Sequence, residues 1–439
     1  MKKIPFDYFD DGRKVTIDYI PRLIDADIDR ILSSFGAVLL RGPKFSGKTT
    51  TACYHAKSQI FLAKRSKKAL YDSYRVRPSM YLDGDKPRLI DEWQTYDFLW
   101  DLVKEAVDQA QCPGQFILTG SFSPKPGTTN HTGSMRIARL NMMTLSLYEM
   151  GLSTGGASLL AMANGAEIGG ENHLSYEDIT HQMVTGGYPF AARGGLDGRE
   201  LAKGVLDSIV ETDMKEVTGR NFRPSLARAI LRSLARNIST YASNKTIIDD
   251  VKSIESISEP SFYEYYDGLL RLFVLYELES WSPSIRSKEA IRVSPKRQFG
   301  DVSIAAAALG IGEKDLNDDP RTRGFFFENF VGHDLAVYAQ ALGATLGHYH
   351  DGRDLECDFT LHFPDGRYGL IEVKSSENQL ADAFDVFQQF DALIEKYSEK
   401  HPGSPMKPPS FKLVITGDSK FAYRLANGIY VAPVGALKP

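Results

Sequence analysis

The stretch Gly36-Ala37-Val38-Leu39-Leu40-Arg41-Gly42-Pro43-Lys44-Phe45-Ser46-Gly47-Lys48-Thr49-Thr50 decides the fold of the first part of the chain. It opens with a short apolar run, which predicts a buried strand. The run leads into the complete pattern G-x-x-x-x-G-K-T, whose glycines and lysine surround the phosphates of a nucleotide. A strand, a glycine-rich loop and a helix in this order predict an α/β domain built around a P-loop.

Each residue type of this pattern has its own task in phosphate binding. The glycines let backbone N–H groups curl round a phosphate, Lys48 reaches the β and γ oxygens, and the Thr49 hydroxyl is a ligand for Mg²⁺. The helix dipole adds to the attraction for anions. We therefore predict that nine consecutive residues bind ATP. They are Gly42, Pro43, Lys44, Phe45, Ser46, Gly47, Lys48, Thr49 and Thr50.

Two further apolar runs end in polar residues that ATP hydrolysis requires. Leu89-Ile90 is followed by Asp91, which we expect to hold the Mg²⁺ shell, and by Glu92, which we expect to polarise the attacking water. Phe116-Ile117-Leu118 leads to Ser121, a candidate sensor of the γ-phosphate. For Ser121, an ordinary turn residue at a strand end is an equal alternative. We interpret Lys48 and Glu92 as catalytic, and Thr49 and Asp91 as Mg²⁺ ligands.

Composition excludes several classes of protein. Apolar residues make up 42% of the 439 residues and charged residues 25%, which is typical of a globular chain of two or three domains. No apolar run is long enough for a membrane span, and no secretory signal follows Met1, so we expect a cytoplasmic protein. Cys53, Cys112 and Cys357 are too far apart for a Cys-x-x-Cys zinc site.

The formal net charge of −4 hides a strong asymmetry along the chain. Residues 41–80 carry ten Lys or Arg against one Asp, whereas residues 301–400 carry 19 Asp or Glu against eight Lys or Arg. Opposite local charges predict domains with different ligands. The basic stretch 57–77 is a candidate nucleic-acid or partner surface.

Several motifs resemble those of a large family of bacterial and archaeal AAA-type ATPases. The shared segments are Leu89-Ile90-Asp91-Glu92 with Gln94, Leu118-Thr119-Gly120-Ser121, Gly133-Ser134-Met135-Arg136, Leu145-Ser146-Leu147-Tyr148-Glu149 and Gly186-Gly187-Tyr188-Pro189. The resemblance runs nearly end to end, and it implies a C-terminal domain related to PD-(D/E)XK nucleases. It also implies that Arg136 lies near the nucleotide as a phosphate sensor, with a plain surface arginine as the alternative. Ring-forming relatives use an arginine finger in trans, and the sequence does not place such a residue; a homo-oligomer is one further expectation.

The middle of the chain is predicted to be helical. The Gly-, Ala- and Ser-rich stretch 153–172 is predicted to be a loop or an insertion within the ATPase domain. After about Glu200 the pattern becomes that of helices followed by strands, which is the winged-helix layout. Arg228, Arg232 and Arg236 fall on one helix face and could contact DNA phosphates. Because acids interleave with these bases, a domain-bridging role is the stronger alternative.

The last domain contains a predicted hairpin that brings two carboxylates together. A turn centred on Asp365 sets Asp358 opposite Glu372 with Cβ atoms about 5 Å apart, and the two-residue period puts Lys374 on the same face as Glu372. Facing carboxylates repel each other unless a cation or a proton lies between them, and we predict bound Mg²⁺ as the natural ligand. Glu356 is left out on the expectation that it points to the other face.

By the resemblance to PD-(D/E)XK nucleases, Asp358 and Glu372 hold the metal and Lys374 positions or activates water. Glu328, on the preceding helix, would supply an outer acidic ligand. Such a set suits metal-assisted phosphodiester hydrolysis. A plain salt-bridge cluster without cleavage is the alternative reading of these residues.

The sequence thus predicts three α/β or helical units. They are an AAA-type P-loop ATPase domain at 1–200, a helical winged-helix-like domain at 201–300 and an α/β PD-(D/E)XK nuclease-like domain at 301–439. The predicted function is Mg²⁺-dependent ATP hydrolysis coupled to DNA processing. The alternative is an ATP-dependent switch or scaffold whose last domain binds a partner without cleaving it.

Overall fold

The computed structural model describes residues 2–10, 13–121, 133, 135–194, 197–218, 222–284, 293–353 and 355–439, apart from the side chain of Arg65. Ser134, a member of one family motif, lies outside the described residues. Within these ranges, no helix is long and apolar enough to cross a membrane.

A five-stranded parallel sheet forms the centre of the first region, as the P-loop pattern predicts. An antiparallel hairpin of β1 (Ile4–Asp10) and β2 (Arg13–Tyr19) precedes it. The sheet has the order β4-β5-β6-β3-β7 and is parallel throughout. Its strands are β3 (Ala37–Arg41), β4 (Ser58–Phe61), β5 (Arg88–Asp91), β6 (Phe116–Gly120) and β7 (Ile137–Asn141).

Helices cover both faces of this sheet. They are α1 (Asp25–Leu32), α2 (Lys48–His55), α3 (Lys68–Ser73) and α4 (Leu99–Ala110). Side chains alternate along β3, so that Ala37 and Leu39 pack in the cluster with α4, whereas Val38 and Leu40 pack in the cluster with α1 and α2. Because the strands are parallel, the P-loop, Asp91 and Gly120 all lie at the carboxyl edge, where ligands of open α/β sheets bind.

The middle region is mostly helical. It comprises β8 (Ala157–Ser158), α5 (Leu159–Ala163), α6 (Tyr176–Thr185), α7 (Pro189–Ala192), α8 (Gly198–Ser208), a π-helical turn (Ile209–Asp213), α9 (Met214–Thr218), α10 (Pro224–Arg236), α11 (Asn244–Lys252), α12 (Glu259–Arg271), β9 (Leu275–Leu278), β10 (Lys296–Phe299), α13 (Val302–Leu309) and α14 (Glu313–Asp318). The strands β9 and β10 form an antiparallel pair after three helices. This order is the one that the sequence pattern predicts, and the winged-helix interpretation stays a prediction.

The last region is a six-stranded mixed sheet with two long helices. Its elements are α15 (Pro320–Ala341), β11 (Thr345–His350), β12 (Glu356–His362), β13 (Tyr368–Lys374), α16 (Leu380–Lys400), β14 (Phe411–Thr416), β15 (Tyr423–Arg424), β16 (Tyr430–Pro433) and β17 (Leu437–Lys438). The sheet order is β11-β12-β13-β14-β16-β15, in which β11, β12 and β13 are antiparallel neighbours and β13, β14 and β16 are parallel neighbours.

The regions share one large hydrophobic cluster. Leu145, Ile230, Phe326 and Leu437 all belong to it, although they come from four distant parts of the chain. The strand β17 pairs with β8, and the stretch 153–172, predicted to be a loop or an insertion, contains this short strand and the helix α5. These contacts place the C-terminal sheet directly against residues that follow the ATPase sheet.

Candidate functional site

The P-loop joins β3 to α2 with the backbone that the glycines permit. Gly47 has φ +96°, a conformation that favours glycine, and it immediately precedes Lys48 at the start of α2. A Cβ atom on Gly42 would lie 2.0 Å from the carbonyl oxygen of Met142, so the chain approaches too closely for any side chain there. The loop therefore presents its N–H groups in the way that phosphate binding needs.

A cavity of about 690 Å³ opens over this loop. Most of the predicted nucleotide-binding residues line it, together with Glu92 and an apolar wall from several parts of the chain. The predicted residues on its surface are Lys44, Phe45, Gly47, Lys48, Thr49, Thr50 and Ser121. The apolar wall includes Ile20, Leu145, Pro189 and Leu201. A polar floor beside an apolar wall suits a ligand with phosphates at one end and a planar base at the other.

Lys48 lies buried beneath the cavity floor. Its Nζ donates hydrogen bonds to the carbonyl oxygens of Gly42, at 2.9 Å, and Pro43, at 2.8 Å. Burial lowers the pKa of Lys48 to about 8, although Glu92 and Asp91 oppose this shift. A nucleotide phosphate would compete for the same ammonium.

The acids predicted after β5 lie where the sequence pattern puts them. Asp91 Oδ1 accepts hydrogen bonds from the hydroxyls of Thr49 and Thr119, each at 2.7 Å. Burial raises the pKa of Asp91, whereas these two hydrogen bonds lower it. Hydroxyl and carboxylate oxygens at a P-loop are the hard donors that Mg²⁺ prefers, so Thr49 and Asp91 fit that ion.

Glu92 reaches the cavity through a constrained turn. Its φ of +53° is unusual for a residue with a side chain, and its N–H donates to the Thr119 hydroxyl at 3.0 Å. Ser121 Oγ donates to Glu92 Oε1 at 2.7 Å, and Gln94 donates to Oε2. Glu92 is thus oriented by neighbours on both oxygens, while Ser121 lines the cavity as a partner of Glu92.

Arg136 does not lie near the nucleotide cavity, so its predicted role as a phosphate sensor is wrong. It precedes β7, and its carbonyl accepts the N–H of Ala37 at the start of β3, whereas the P-loop follows the end of β3. The strand separates the two by about 13 Å. Arg136 Nε instead donates to Asp108 at 2.6 Å, which matches the alternative of a surface arginine.

Sequence reasoning missed two arginines at the cavity. Arg22 is buried, donates to the carbonyl of Ser46 in the P-loop at 2.9 Å, and pairs with Glu149 at 2.9 Å. Arg193 lines the cavity, and its buried Nε has no hydrogen-bond partner among the described residues. A buried guanidinium nitrogen without a partner beside a P-loop is a candidate phosphate contact. Neither arginine belongs to a local motif, so only the tertiary fold reveals them.

The C-terminal hairpin has the register that the sequence predicts. Phe359 pairs with Ile371 and Thr360 with Leu370, which continues to Asp358 opposite Glu372. At the next positions of the hairpin, side-chain carboxylates accept hydrogen bonds from backbone N–H groups. Val373 N–H donates to Asp358 Oδ2 at 2.8 Å, and Asp358 N–H donates to Glu372 Oε1 at 3.3 Å. Lys374 Nζ donates to Glu372 Oε2 at 2.8 Å.

The cation beside this cluster is a lysine that the sequence did not suggest. Lys296 Nζ lies 2.6 Å from Glu328 Oε1, 3.0 Å from Glu356 Oε1 and 3.9 Å from Asp358 Oδ1. Glu356 therefore belongs to the cluster, and the expectation that it points to the other face is wrong. Residues 356 and 358 are two apart on one strand, and such residues share a face.

The predicted Mg²⁺ ligands Asp358, Glu372 and Glu328 do not form a metal site in this arrangement. In the part of the chain that the structure describes, no group of three or more His, Cys, Asp or Glu side chains is placed to hold a metal ion. The Lys296 ammonium lies beside Glu328 and Asp358, Lys374 pairs with Glu372, and backbone N–H groups occupy other oxygens. The cluster as it stands does not fit a divalent cation.

The predicted DNA-contacting face of α10 is largely engaged within the protein. Arg228 pairs with Asp207 at 2.9 Å and Arg236 pairs with Asp250 at 2.8 Å. In the basic stretch after the P-loop, Lys64 pairs with Asp10 and Lys68 with Asp72. Ion pairs of this kind reduce the charge that either surface offers to phosphates.

Comparison with known families places the nucleotide cavity in a defined class. Residues 34–151 match the model of an AAA domain, residues 176–315 a domain of unknown function (DUF8612), and residues 323–437 a domain of unknown function (DUF4143). The chain therefore contains an AAA-type P-loop ATPase domain, and the match supports ATP binding and hydrolysis there.

Whole-chain relatives have similar length. "Uncharacterized protein Mb2031c" of Mycobacterium bovis and "Uncharacterized protein Rv2008c" of Mycobacterium tuberculosis are each 23% identical over 394 residues, which is 89% of this chain and 81% of theirs. The Walker-type ATPase PABY2304 of Pyrococcus abyssi aligns in structure with a TM-score of 0.38 and 14% identity, covering 65% of this chain and 94% of its own.

The lowered pKa of Lys48 predicts proton uptake when ATP binds. Near pH 8 the free ammonium is about half protonated, and phosphate contacts would make it fully protonated, so binding takes up about half a proton. Affinity should accordingly fall as the pH rises above about 8. Calorimetry of ATP binding in buffers with different ionisation enthalpies measures this uptake.

A Lys48→Arg variant is the matched control, because an arginine stays charged at these pH values. It should show no proton uptake. If wild-type binding is independent of buffer and of pH between neutral and mildly alkaline conditions, Lys48 does not titrate in this range.

Proposed function

We propose that the protein is an ATP-hydrolysing switch, in which the nucleotide state of the AAA-type domain is transmitted to the C-terminal domain. The observation that carries the proposal is a set of buried polar contacts that begins at the P-loop and ends on α15. Buried polar groups of this kind are arranged with fixed geometry, because an unpaired member is costly.

The contacts begin with Arg22. It holds the P-loop carbonyl of Ser46 and the carbonyls of Met143, at 2.8 Å, and Thr144, at 3.1 Å. Its carboxylate partner Glu149 accepts from the N–H of Ser146 at 2.9 Å. A shift of the P-loop on nucleotide binding would therefore move the segment 143–149.

The same segment contacts the C-terminal domain. Leu147 N–H donates to Asp334 on α15 at 3.1 Å, and the Thr144 hydroxyl donates to Asp301 at 2.8 Å and lies 2.9 Å from His333 Nε2. Burial alone would lower the pKa of His333, but Asp334 outweighs it and raises that pKa. A protonated His333 donates from both ring nitrogens, to Thr144 and Asp334.

Asp301 also connects this set of polar contacts to the wall of the nucleotide cavity. It accepts the N–H of Gly187 at 2.9 Å, and this glycine lies two residues before Pro189 in the apolar wall. The segment 143–149 and Gly187, on two sides of the cavity, therefore both contact the buried carboxylate of Asp301.

In ATP hydrolysis each residue at the P-loop takes a separate part. Lys48 would bind phosphate oxygens, and so would Lys44 on leaving its ion pair with Asp213. Thr49 and Asp91 would hold Mg²⁺, and Glu92 would orient the attacking water. The bound Mg²⁺ would neutralise phosphate charge. Ser121 keeps Glu92 in position, and Arg193 is our candidate for a contact to the terminal phosphate.

Hydrogen–deuterium exchange tests the switch. In a Glu92→Gln variant, which should retain ATP, exchange in the segment 143–149 and in α15 is expected to change when ATP is added. A Lys48→Ala variant with the same ATP is the control and should show no change. A response confined to the P-loop and its strand would contradict transmission to the C-terminal domain.

A second candidate function is Mg²⁺-dependent cleavage of DNA by the C-terminal domain, which would require Mg²⁺ to displace the Lys296 ammonium from the carboxylates. The proximity of Asp358, Glu372 and Lys374 favours it. The test is cleavage of DNA and RNA with Mg²⁺ by wild type and by Asp358→Ala and Lys374→Ala, with and without ATP. Absence of cleavage, or equal cleavage by the variants, would exclude this candidate. A DNA partner, a homo-oligomer and a cytoplasmic location stay predictions.

A further inference from the structure

We propose that Lys296 is the built-in cation of the C-terminal carboxylate cluster, and that the cluster binds no divalent ion while this ammonium is in place. The proposal does not depend on the ATP-driven switch, and its experiment measures cation binding and stability. It explains how Glu328, Glu356 and Asp358 can converge on one point without a metal. The cluster is defined here as Glu328, Glu356, Asp358 and Glu372.

The position of the ammonium is the first support. The Lys296 side chain is 1% exposed, and its Nζ lies within 4 Å of carboxylate oxygens on Glu328, Glu356 and Asp358. These oxygens come from a helix and a strand of the C-terminal region, whereas Lys296 opens β10 before that region begins. One ammonium thus contacts carboxylates from separate elements, as a bound metal ion would.

The remaining carboxylate oxygens are the second support. Asp358 Oδ2 accepts the Val373 N–H, Glu372 Oε1 accepts the Asp358 N–H, and Glu372 Oε2 accepts Lys374 Nζ. Mg²⁺ and Mn²⁺ prefer six oxygen ligands, and a metal here would need several of these oxygens released. Lys374 and two backbone N–H groups thus already occupy oxygens of Asp358 and Glu372.

An aromatic ring also faces the ammonium. The ring of Tyr241 lies 5.2 Å from Nζ and adds a cation–π contact. His348, which hydrogen-bonds Tyr241 at 3.1 Å, has its pKa lowered to about 3 by burial and by Lys296, so it stays neutral.

Replacing Lys296 would leave the carboxylates of the cluster without its charge. Removing one partner of a buried ion pair leaves an uncompensated charge, which is far more costly than removing an exposed pair. In a Lys296→Met variant, the freed carboxylates would bind a divalent ion in place of the ammonium. Loss of the lysine should therefore both destabilise the protein and create a metal site.

The first measurement uses the folded wild-type chain. Mn²⁺ binding is followed by electron paramagnetic resonance in wild type and in Asp358→Asn, without nucleotide. We expect both proteins to bind the same number of Mn²⁺ ions, because Lys296 fills the cluster. A bound ion that is present in wild type and lost in Asp358→Asn would overturn the proposal.

The second measurement uses Lys296→Met. Its Tm is expected to fall by about 10 °C, and millimolar Mn²⁺ is expected to restore much of the loss and to add one bound ion. Lys412→Met is the matched control, because Lys412 pairs with Asp391 in the same region outside the cluster. It should show neither effect.

Two further outcomes complete the test. Adding Asp358→Asn to Lys296→Met should abolish the new ion. If Lys296→Met folds but gains no ion and no Mn²⁺-dependent stability, the proposal fails. If that variant does not fold, the comparison of wild type with Asp358→Asn decides the matter by itself.

Discussion

Replacing Glu92 by glutamine is expected to slow ATP hydrolysis by about 100-fold or more while ATP still binds. The carboxylate lies on the surface of the P-loop cavity with its oxygens oriented by Ser121 and Gln94. An amide has nearly the same shape, so Lys48, Thr49 and the cavity should keep their geometry. It cannot take a proton from the attacking water, and the chemical step loses its base. Steady-state phosphate release and binding of a fluorescent ATP analogue measure the two effects separately.

Two further variants serve as controls for Glu92→Gln. Lys48→Ala should abolish detectable ATP binding, because it removes the cation that reaches the phosphates. Glu105→Gln changes an exposed glutamate on α4 of the same domain and should leave both measurements unchanged. Normal turnover by Glu92→Gln would mean that another group orients the water.

The nucleotide site could be predicted because its determinants are local in sequence. The P-loop is one continuous segment, and Asp91 and Glu92 directly follow a buried strand. Parallel strands then bring these strand ends to one edge of the sheet. The same rule explains the error over Arg136, since that residue precedes its strand and so lies at the opposite edge.

The C-terminal cluster shows the limit of this reasoning. Because the turn around Asp365 is short, the pairing of Asp358 with Glu372 could be predicted from the sequence. Lys296 lies on another ribbon far earlier in the chain, so no pattern within the hairpin could reveal the cation between the acids. The two facing carboxylates were predicted to bind Mg²⁺, and tertiary packing places the Lys296 ammonium beside Asp358 and the Lys374 ammonium beside Glu372.

Arg22 presents the same difficulty in the ATPase domain, and its replacement has the largest expected effect on stability. Arg22→Met should lower the free energy of unfolding by about 3–5 kcal/mol. The guanidinium pairs with Glu149, and the two side chains are 4% and 2% exposed. Without it, Glu149 stays buried without a counter-charge, and the carbonyls of Ser46 and Met143 lose a donor. Urea unfolding followed by tryptophan fluorescence measures the change, since Trp93 and Trp100 lie in the core of this domain.

Arg30→Met is the matched control, because Arg30 pairs with Asp27 at 2.7 Å but its side chain is 69% exposed. It should cost less than about 1 kcal/mol, as exposed ion pairs do. Adding Glu149→Gln to Arg22→Met should recover part of the loss, since the double variant no longer buries an unpaired charge. If Arg22→Met costs no more than Arg30→Met, the buried pair does not hold the P-loop against the segment 143–149. The proposed transmission from nucleotide to C-terminal domain would then have lost its first step.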